Sequence, residues 1–226
     1  MTNLDLYAKI EPLIGFYEAY EELYDVYEEL LKEIEPKTLL DVGCGNGNFL
    51  KRLDYLDAKG IDISPKMVEI AKQKGLDVSC QKIEENSQKF DVITAIADVL
   101  NYLDENSLQS FLKAVKNSLN HDGYFICDVN TLYGFSEVAD GVMINEDDNG
   151  FLGVEAEFLD GELVTDFTYF ERKNDCHKKF QWRIRQFYHE IKTIEKLLGM
   201  KLVKTKDINL FSEDEFDKVV LVFLKN

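Results

Sequence analysis

The stretch Thr38-Leu39-Leu40-Asp41-Val42-Gly43-Cys44-Gly45-Asn46-Gly47-Asn48-Phe49-Leu50 decides the fold of this chain. An apolar run ends in an acid, three glycines follow at a spacing of two, and a helical pattern then begins. This order predicts a buried parallel strand, a tight turn and a helix. Because glycine has no Cβ, the backbone can turn sharply there and a ligand can approach it closely. The free N–H groups at the helix start face the same crevice. The stretch therefore predicts a nucleotide-like ligand at the carboxyl end of the first strand of a doubly wound α/β sheet.

The glycine spacing does not fit the dinucleotide fingerprint G-x-G-x-x-G. Counted from Gly43 and Gly45, the third glycine should fall at position 48, which is Asn48. Counted from Gly45 and Gly47, it should fall at position 50, which is Leu50. A NAD-dependent oxidoreductase is therefore disfavoured and stays a weaker alternative.

The segment D-V-G-C-G-N-G at positions 41–47 resembles the first motif of the class I, Rossmann-like S-adenosylmethionine-dependent methyltransferases. In that family the acid-and-glycine turn holds the methionine end of the cofactor. The resemblance implies S-adenosyl-L-methionine as the cofactor, with Asp41, Gly43, Cys44 and Gly45 in its site. An ordinary strand–turn–helix of another α/β protein is the alternative.

A second acid follows at the end of the next predicted strand, in G-I-D-I-S at 60–64, which resembles the second motif of the family. At that place Asp62 lies beside the glycine turn, where a carboxylate can accept two hydrogen bonds from a ribose diol. Asp62 could instead cap the next helix, but Ser64, directly before a proline, is the better placed cap. The family pattern adds Ile63 to the site and points Met67 towards the adenine.

The adenine contact after the third strand departs from the family pattern. Related sequences carry C-Q-D-I there, and the acid bonds the adenine amino group, whereas this chain reads C-Q-K-I at 80–83. Lys82 replaces the acid, so that contact is in doubt. A backbone N–H at Lys82 or Ile83 could still bind an adenine ring nitrogen, and Glu84 is an alternative acceptor.

The fourth predicted strand, 90–97, is an almost continuous apolar run, as expected of a doubly covered central strand. It leads into A-D-V-L-N-Y-L, and a subgroup of bacterial class I methyltransferases has D-S-L-N-Y-L at this place. In the family this strand end faces the transferring methyl group. The resemblance implies Ala97 and Asp98 at the cofactor and Asn101 and Tyr102 as catalytic candidates. Packing of the loop and helix start is the alternative for the last two.

The segment G-Y-F-I-C-D-V-N at 123–130 resembles the fifth strand of the family and places Asp128 and Asn130 near the substrate mouth. Later, R-Q-F-Y-H-E-I at 185–191 resembles an arginine–aromatic stretch before the final helix. Arg185 could hold a substrate carboxylate in a bidentate contact, and His189 could act as a general base. Surface positions are the alternative for both.

Residues 4–34 show apolar and aromatic positions near a period of 3.6, which predicts helix. Within them, F-Y-E-A-Y-E-E-L-Y at 16–24 resembles the N-terminal lid of small-molecule methyltransferases, where an aromatic residue covers the cofactor. Tyr20 is the candidate for that cover. Core packing is the simpler interpretation of the tyrosine stripe. The predicted lid spans residues 1–35.

Between the fifth strand and the last helix, the hydrophobic pattern changes to alternation. Residues 151–159 and 162–171 alternate and are joined by Asp-Gly, the strongest short hairpin signal. A third alternating run follows at 177–188. We therefore expect an inserted antiparallel sheet of three or four strands within 136–188. The hypothesis is that it roofs the active site and sets substrate choice; an extension that only forms a homodimer is the alternative.

The remaining segments complete a methyltransferase core over 36–135 and 189–226. A helix at 189–198 is followed by strands at 201–208 and 217–224, and the resemblance implies that they close the sheet as the antiparallel hairpin typical of the family. The predicted fold is therefore a doubly wound, seven-stranded, mostly parallel sheet whose last strand is antiparallel. An N-terminal helical lid and the inserted antiparallel sheet are added to it.

The composition of the chain limits the classes of molecule that it is expected to bind. The 43 acids and 26 bases give a net charge of −17, and such a surface repels nucleic acid phosphates and anionic membranes. No apolar run approaches the ~20 residues that span a bilayer, and no signal pattern starts the chain, so a cytoplasmic protein is the default. The four cysteines form no C-x-x-C pair, and no metal cluster is visible, so a metal-dependent catechol-type reaction is disfavoured. We expect methyl transfer to a small-molecule oxygen or nitrogen, with a non-catalytic cofactor-binding regulator as the alternative.

Overall fold

A computed structural model describes residues 6, 9–10, 13–14, 17–174 and 176–226. Of the predicted lid, residues 1–5, 7–8, 11–12 and 15–16 lie outside the described residues. The strands are β1 (Thr38–Val42), β2 (Asp57–Asp62), β3 (Val78–Cys80), β4 (Phe90–Ala95), β5 (Leu119–Asn130), β6 (Gly141–Asp147), β7 (Gly150–Leu159), β8 (Glu162–Lys173), β9 (Cys176–Phe187), β10 (Lys201–Ile208) and β11 (Lys218–Leu224). The main helices are α1 (Tyr17–Ile34), α2 (Asn48–Arg52), α3 (Pro65–Gln73), α4 (Glu105–Ser118) and α5 (Ile191–Leu198), with short helical turns at Ile83–Glu85, Val99–Tyr102 and Gly134–Ala139.

The central sheet has the order β10-β11-β5-β4-β1-β2-β3. β1 pairs in parallel with β2 and β4, β2 with β3, and β4 with β5, while β11 runs antiparallel to both β5 and β10. This confirms the predicted seven-stranded, mostly parallel sheet with an antiparallel last strand. The strand order reverses between β1 and β4, so a crevice opens at their carboxyl ends.

Both faces of this sheet are covered, as its continuous apolar strands require. One apolar cluster joins the sheet to α4 and α5 through residues such as Leu112 and Ile194. The other joins it to α1, α2 and α3 through residues such as Leu23 and Phe49. Consecutive residues of β11 alternate between the two clusters, which is the period of a strand buried on both sides. The sheet is therefore a rigid platform for the loops at its carboxyl edge.

A second sheet has the order β6-β7-β8-β9, and all its pairs are antiparallel. The predicted hairpin turn is confirmed: Leu159 pairs with Glu162, and Asp160 and Gly161 between them have φ of 52° and 83°. Two consecutive positive φ values are what a type I′ turn needs, and Asp-Gly provides them. One face of this sheet packs on the N-terminal segment, in a cluster formed by Ile10, Leu13, Ile14, Leu152, Phe167, Tyr169, Trp182 and Ile184.

The segment His-Asp-Gly at 121–123, which has turn-forming residues, lies inside a strand. β5 is continuous from Leu119, although Asp122 has a φ of 59°. Phe90 pairs with Leu119 and Val92 with Tyr124, so β5 carries three more residues than β4 over this interval. Residues 121–123 therefore form a bulge, and the strand continues after it.

None of the described helices combines the length and the apolar character that crossing a membrane requires.

Candidate active site

A cavity of about 600 Å³ opens at the carboxyl ends of β1, β2 and β4, between α1 and α4. This volume falls in the range of about 300–1,000 Å³ that is usual for small-molecule sites. Most of the residues predicted from the sequence as cofactor contacts lie on its wall: Tyr20, Asp41, Gly43, Cys44, Gly45, Asp62, Ile63, Met67, Ile83 and Ala97. The predicted catalytic candidate Tyr102 lies on the same wall.

The turn after β1 is built from left-handed backbone. Gly43, Gly45 and Gly47 have φ of 75°, 53° and 77°, a region that residues with a Cβ rarely adopt. A Cβ on Gly43 would lie 2.7 Å from the Val99 side chain, whereas the Cβ position of Gly45 has no atom within 4 Å. The turn is therefore closed against Val99 at one glycine and open at the next, as a cradle for a ligand requires.

Asp41, at the end of β1, is a buried carboxyl group with 2% of its surface exposed. Its carboxylate accepts a hydrogen bond of 2.8 Å from Thr94 Oγ1. Burial raises the pKa of Asp41 to about 7, the Thr94 hydrogen bond opposes this shift, and the charge of Asp62 adds to it. The two acids are thus close enough to interact, and a positively charged group beside them would be stabilised.

Asp62, the last residue of β2, joins the glycine turn to the start of α3. Its Oδ2 accepts from the N–H of Gly45 at 2.9 Å, and its Oδ1 accepts from the N–H of Ser64 at 2.7 Å. Ser64 Oγ in turn accepts from the N–H of Met67 at 3.3 Å, so Ser64 is the helix cap that the sequence predicted. A carboxylate has about four acceptor directions, so one side chain can accept from the turn and from the start of the helix together.

Aromatic side chains from α1 line the same cavity as the glycine turn. Tyr20 and Tyr24 line the cavity and stack on each other with ring centroids 6.4 Å apart, and Tyr24 lies 5.4 Å from the ring of Phe49 on α2. Arg52, at the end of α2, forms ion pairs with three acids of α1: Glu21, Asp25 and Glu28. Helix α1, which carries these aromatic side chains, is therefore joined by ion pairs to α2, the helix that starts at the glycine turn.

Polar side chains line the part of the cavity that lies beside the segment after β3. Gln81, Lys82 and Glu84 line it together with the buried side chain of Ile83. The backbone N–H of Lys82 points at the Glu85 carboxylate, 3.4 Å away. This occupies one of the two backbone donors considered for an adenine ring nitrogen. The side chains of Asn106, Ser107, Ser110 and Phe111 on α4 complete this wall and were not predicted.

Two predicted site residues that follow β4 do not lie on the cavity wall. Asp98 turns away from it and forms an ion pair with Lys218. Asn101 is fully buried, donates from Nδ2 to the carbonyl of Phe187 at 2.8 Å and accepts from the N–H of Asn130 at 3.1 Å. Both ends of its amide are thus used to join the end of β5 to the end of β9. This placement favours the packing alternative for Asn101.

Arg185 and His189 also lie away from the cavity wall. Arg185 is on the exposed face of β9 and pairs with Glu162 at 3.1 Å. His189 Nε2 lies 3.2 Å from the carbonyl of Leu100 and 2.9 Å from that of Leu103. Because a carbonyl oxygen only accepts, Nε2 carries the proton. Burial lowers the pKa of His189. These contacts favour a structural role for both side chains over contact with a substrate.

A buried charge cluster behind the wall was missed by the sequence prediction. Asp128, expected near the substrate mouth, has none of its surface exposed, and Lys218 has 1%. Lys218 Nζ lies 3.0 Å from Asp128 Oδ2 and 2.9 Å from Asn130 Oδ1. The one available signal was a lysine at the start of the otherwise apolar run 218–224.

Among the residues with described positions, no group of three or more His, Cys, Asp or Glu side chains is arranged to hold a metal ion.

Comparison with known proteins agrees with this geometry. The family model described as a methyltransferase domain matches residues 16–191. A crystal structure of an S-adenosylmethionine-dependent methyltransferase from Clostridium acetobutylicum is 26% identical, with 98% of each chain covered and a TM-score of 0.82. The sugar N-methyltransferase KedS8 from Streptoalloteichus has a TM-score of 0.73 over 98% of this chain and 92% of its own, and its 17% identity supports the fold alone. A Bos taurus protein named probable tRNA methyltransferase 9B is 28% identical over 116 residues, which are 50% of this chain and 24% of that protein.

Proposed function

This chain belongs to the family of methyltransferase domains, and from that premise we propose that its cavity binds S-adenosylmethionine and that the protein transfers the methyl group to a small-molecule oxygen or nitrogen acceptor. The observation that carries the proposal is the joint placement of the glycine turn and two carboxylates, Asp41 and Asp62, on one cavity wall. The non-catalytic cofactor binder is the runner-up, because this observation concerns binding only.

The residues present fit this cofactor at both ends. The buried Asp41, whose pKa is raised to about 7 by burial, favours a ligand that brings positive charge, as an amino acid with a sulfonium does. The open Cβ position of Gly45 leaves room for a ligand against the backbone. Asp62, next to that glycine, is the proposed acceptor for the ribose hydroxyls. Gly43 and Cys44 complete the turn around the methionine end.

The adenine would lie between the start of α3 and the turn after β3. We assign Ile63, Met67 and Ile83 to its two faces, because all three line the same end of the cavity. Ala97 is assigned to the methyl end, where β4 finishes. Tyr20 is the proposed aromatic cover.

When bound, the cofactor supplies a methyl carbon that is already electrophilic. The task of the chain is then to hold the acceptor in line at contact distance and to exclude water, effects worth up to ~7–11 kcal/mol in favourable systems. Tyr102, which lies on the wall after β4 and is partly exposed, is the proposed contact for the acceptor. A dedicated base is needed only if the acceptor must lose a proton before or during transfer.

The acceptor is proposed to be a small molecule because of charge. A net charge of −17 opposes the approach of RNA phosphates. The inserted sheet, β6 to β9, is the proposed roof over the acceptor, with the N-terminal segment packed on its apolar face. Pairing of two copies through this sheet, as a homodimer, is the other role considered for it.

The test is methyl transfer from methyl-labelled S-adenosylmethionine to a panel of amino sugars, small amines and hydroxy acids, with bulk tRNA as a separate arm. We expect label in at least one small molecule and none in tRNA. Label in tRNA alone would overturn the proposed acceptor class. Tight cofactor binding with no transfer to any acceptor would favour the regulatory binder.

A further inference from the structure

Asp128 on β5 is a buried side chain whose carboxylate accepts four hydrogen bonds. Its Oδ1 accepts from Tyr27 Oη at 2.7 Å and from the N–H of Ala97 at 2.9 Å. Its Oδ2 accepts from the N–H of Asp98 at 3.1 Å and from Lys218 Nζ at 3.0 Å. One carboxylate therefore connects α1, the loop after β4 and the start of β11.

The loop that it holds has an unusual backbone. Ala97 and Asp98 are consecutive residues with φ of 64° and 68°. Side chains with a Cβ disfavour this left-handed region, so two such residues in a row persist only where surrounding contacts hold them. Both of their N–H groups point at the same carboxylate, that of Asp128. One side chain therefore binds both backbone N–H groups of this corner.

The corner forms part of the cavity wall. Ala97 and Val99 line the cavity directly. Val99 also packs against Gly43, where a Cβ would come within 2.7 Å of its side chain. A shift of the corner would therefore move both the end of β4 and the contact that closes the glycine turn.

The charge of Asp128 is compensated in place. Lys218 lies between the carboxylates of Asp98 and Asp128; the side chains of Lys218 and Asp128 are buried, and that of Asp98 is 19% exposed. Although burial lowers the pKa of Lys218, the two carboxylates raise it above its ordinary value, so the lysine stays charged. A buried charge that is paired and hydrogen-bonded keeps its geometry, whereas removal of one partner leaves the other uncompensated.

We infer that Asp128 is a positioning residue, which fixes the Ala97–Asp98 corner in the shape of the cavity wall and ties that corner to helix α1 through Tyr27. The structural part of this inference stands on the contacts above. Its consequence for ligand binding rests on the proposed function, because the ligand is taken to be S-adenosylmethionine or its product.

The test compares Asp128→Asn with a matched control, Asp91→Asn. Asp91 also accepts hydrogen bonds from two backbone N–H groups, those of Lys37 at 3.0 Å and Thr38 at 3.1 Å. It lies near the amino end of β4, whereas the cavity opens at the carboxyl ends of the strands. Asparagine replaces one acceptor oxygen by a donor, so Asp128→Asn leaves part of the corner without its acceptor. The first measurement is amide hydrogen exchange at positions 97 and 98 in the ligand-free protein, by NMR. The second is affinity for S-adenosylhomocysteine, by calorimetry.

We expect Asp128→Asn to speed exchange at both amides by about tenfold or more and to weaken S-adenosylhomocysteine about tenfold, as the loss of a charge-assisted hydrogen bond predicts. Asp91→Asn should do neither. If Asp128→Asn does not fold, Tyr27→Phe removes the hydroxyl that donates to the same carboxylate at 2.7 Å and lies 3.4 Å from the carbonyl of Ala95, and faster exchange at 97 and 98 is expected there too. Exchange within twofold of wild type in the variant that folds, or equal acceleration in the control, would overturn the inference. Failure of the wild-type protein to bind S-adenosylhomocysteine would instead overturn the proposed function, and the exchange data would still decide the role of Asp128.

Discussion

Replacement of Asp62 by alanine should weaken cofactor binding without unfolding the protein. The carboxylate accepts from Gly45 at 2.9 Å and from Ser64 at 2.7 Å, and we propose that it also binds the ribose hydroxyls. A hydrogen bond to a charged group is worth about 1.5–3 kcal/mol, and each 1.4 kcal/mol is a factor of about ten in affinity. Loss of the ribose contact should therefore raise the Kd for S-adenosylhomocysteine about 10–100-fold.

The same substitution removes the acceptor of two backbone N–H groups, that of Gly45 in the turn and that of Ser64 before α3. We expect it to lower the free energy of unfolding by about 1–3 kcal/mol, which chemical denaturation would measure. The control is Asp57→Ala, at the exposed first residue of the same strand, which should leave both quantities unchanged. Calorimetry at pH 8 keeps Asp41, whose pKa is raised to about 7, ionised in all variants. A folded Asp62→Ala protein that binds within twofold of wild type would remove Asp62 from the site.

Further predictions concern three residues in or near the same cavity, Asp41, Tyr20 and Arg52. Because burial raises the pKa of Asp41 to about 7, binding of the cationic cofactor should weaken by up to about tenfold per unit as pH falls below 7, and Asp41→Asn should abolish this slope in calorimetry. In the ligand-free protein the sign is reversed: the stability that this carboxyl contributes is present at low pH and is lost as pH rises through 7, which denaturation at pH 5 and 8 would show. Tyr20→Ala should speed cofactor dissociation by up to about tenfold in stopped-flow experiments, whereas Tyr55→Ala, outside the cavity and 59% exposed, should not. Arg52→Ala should speed dissociation roughly twofold to fivefold at low salt, with a smaller difference from wild type at high salt, because two of its three acidic partners on α1, Glu21 and Asp25, are largely exposed and screened.

The cradle around the glycine turn was predictable because its determinants are local. Gly43, Gly45 and Asp62 lie within 20 positions of one another, and each carries its own signal in the sequence. The inserted hairpin was equally legible, since Asp160 and Gly161 specify their turn by backbone preference alone.

The direction of individual side chains was harder to predict. Arg185 was assigned from resemblance, but Trp182 and Ile184 on the same strand are buried, and alternation then puts Arg185 on the opposite, exposed face. The alternation of buried and exposed residues along the strand already indicated the exposed position of Arg185, but the prediction followed the motif instead. The directions of the Asn101 and His189 side chains could not be predicted from a local pattern. The carbonyl groups to which they bond belong to segments 86–89 residues away in the chain.

The buried charge cluster shows where prediction from the sequence ended. Lys218 and Asp128 are separated by 90 positions, and Tyr27 lies a further 101 positions from Asp128. Their contact depends on β11 running antiparallel beside β5 and on α1 covering the same face. Only the assembled sheet brings these groups together.

The most direct test of the central claim is calorimetry of the wild-type protein with S-adenosylmethionine, S-adenosylhomocysteine and NAD, each titrated separately at pH 8. The account predicts saturable one-to-one binding of the first two compounds and no binding of NAD, because the turn lacks the dinucleotide glycine spacing. Binding of NAD without binding of either sulfur nucleoside would contradict it.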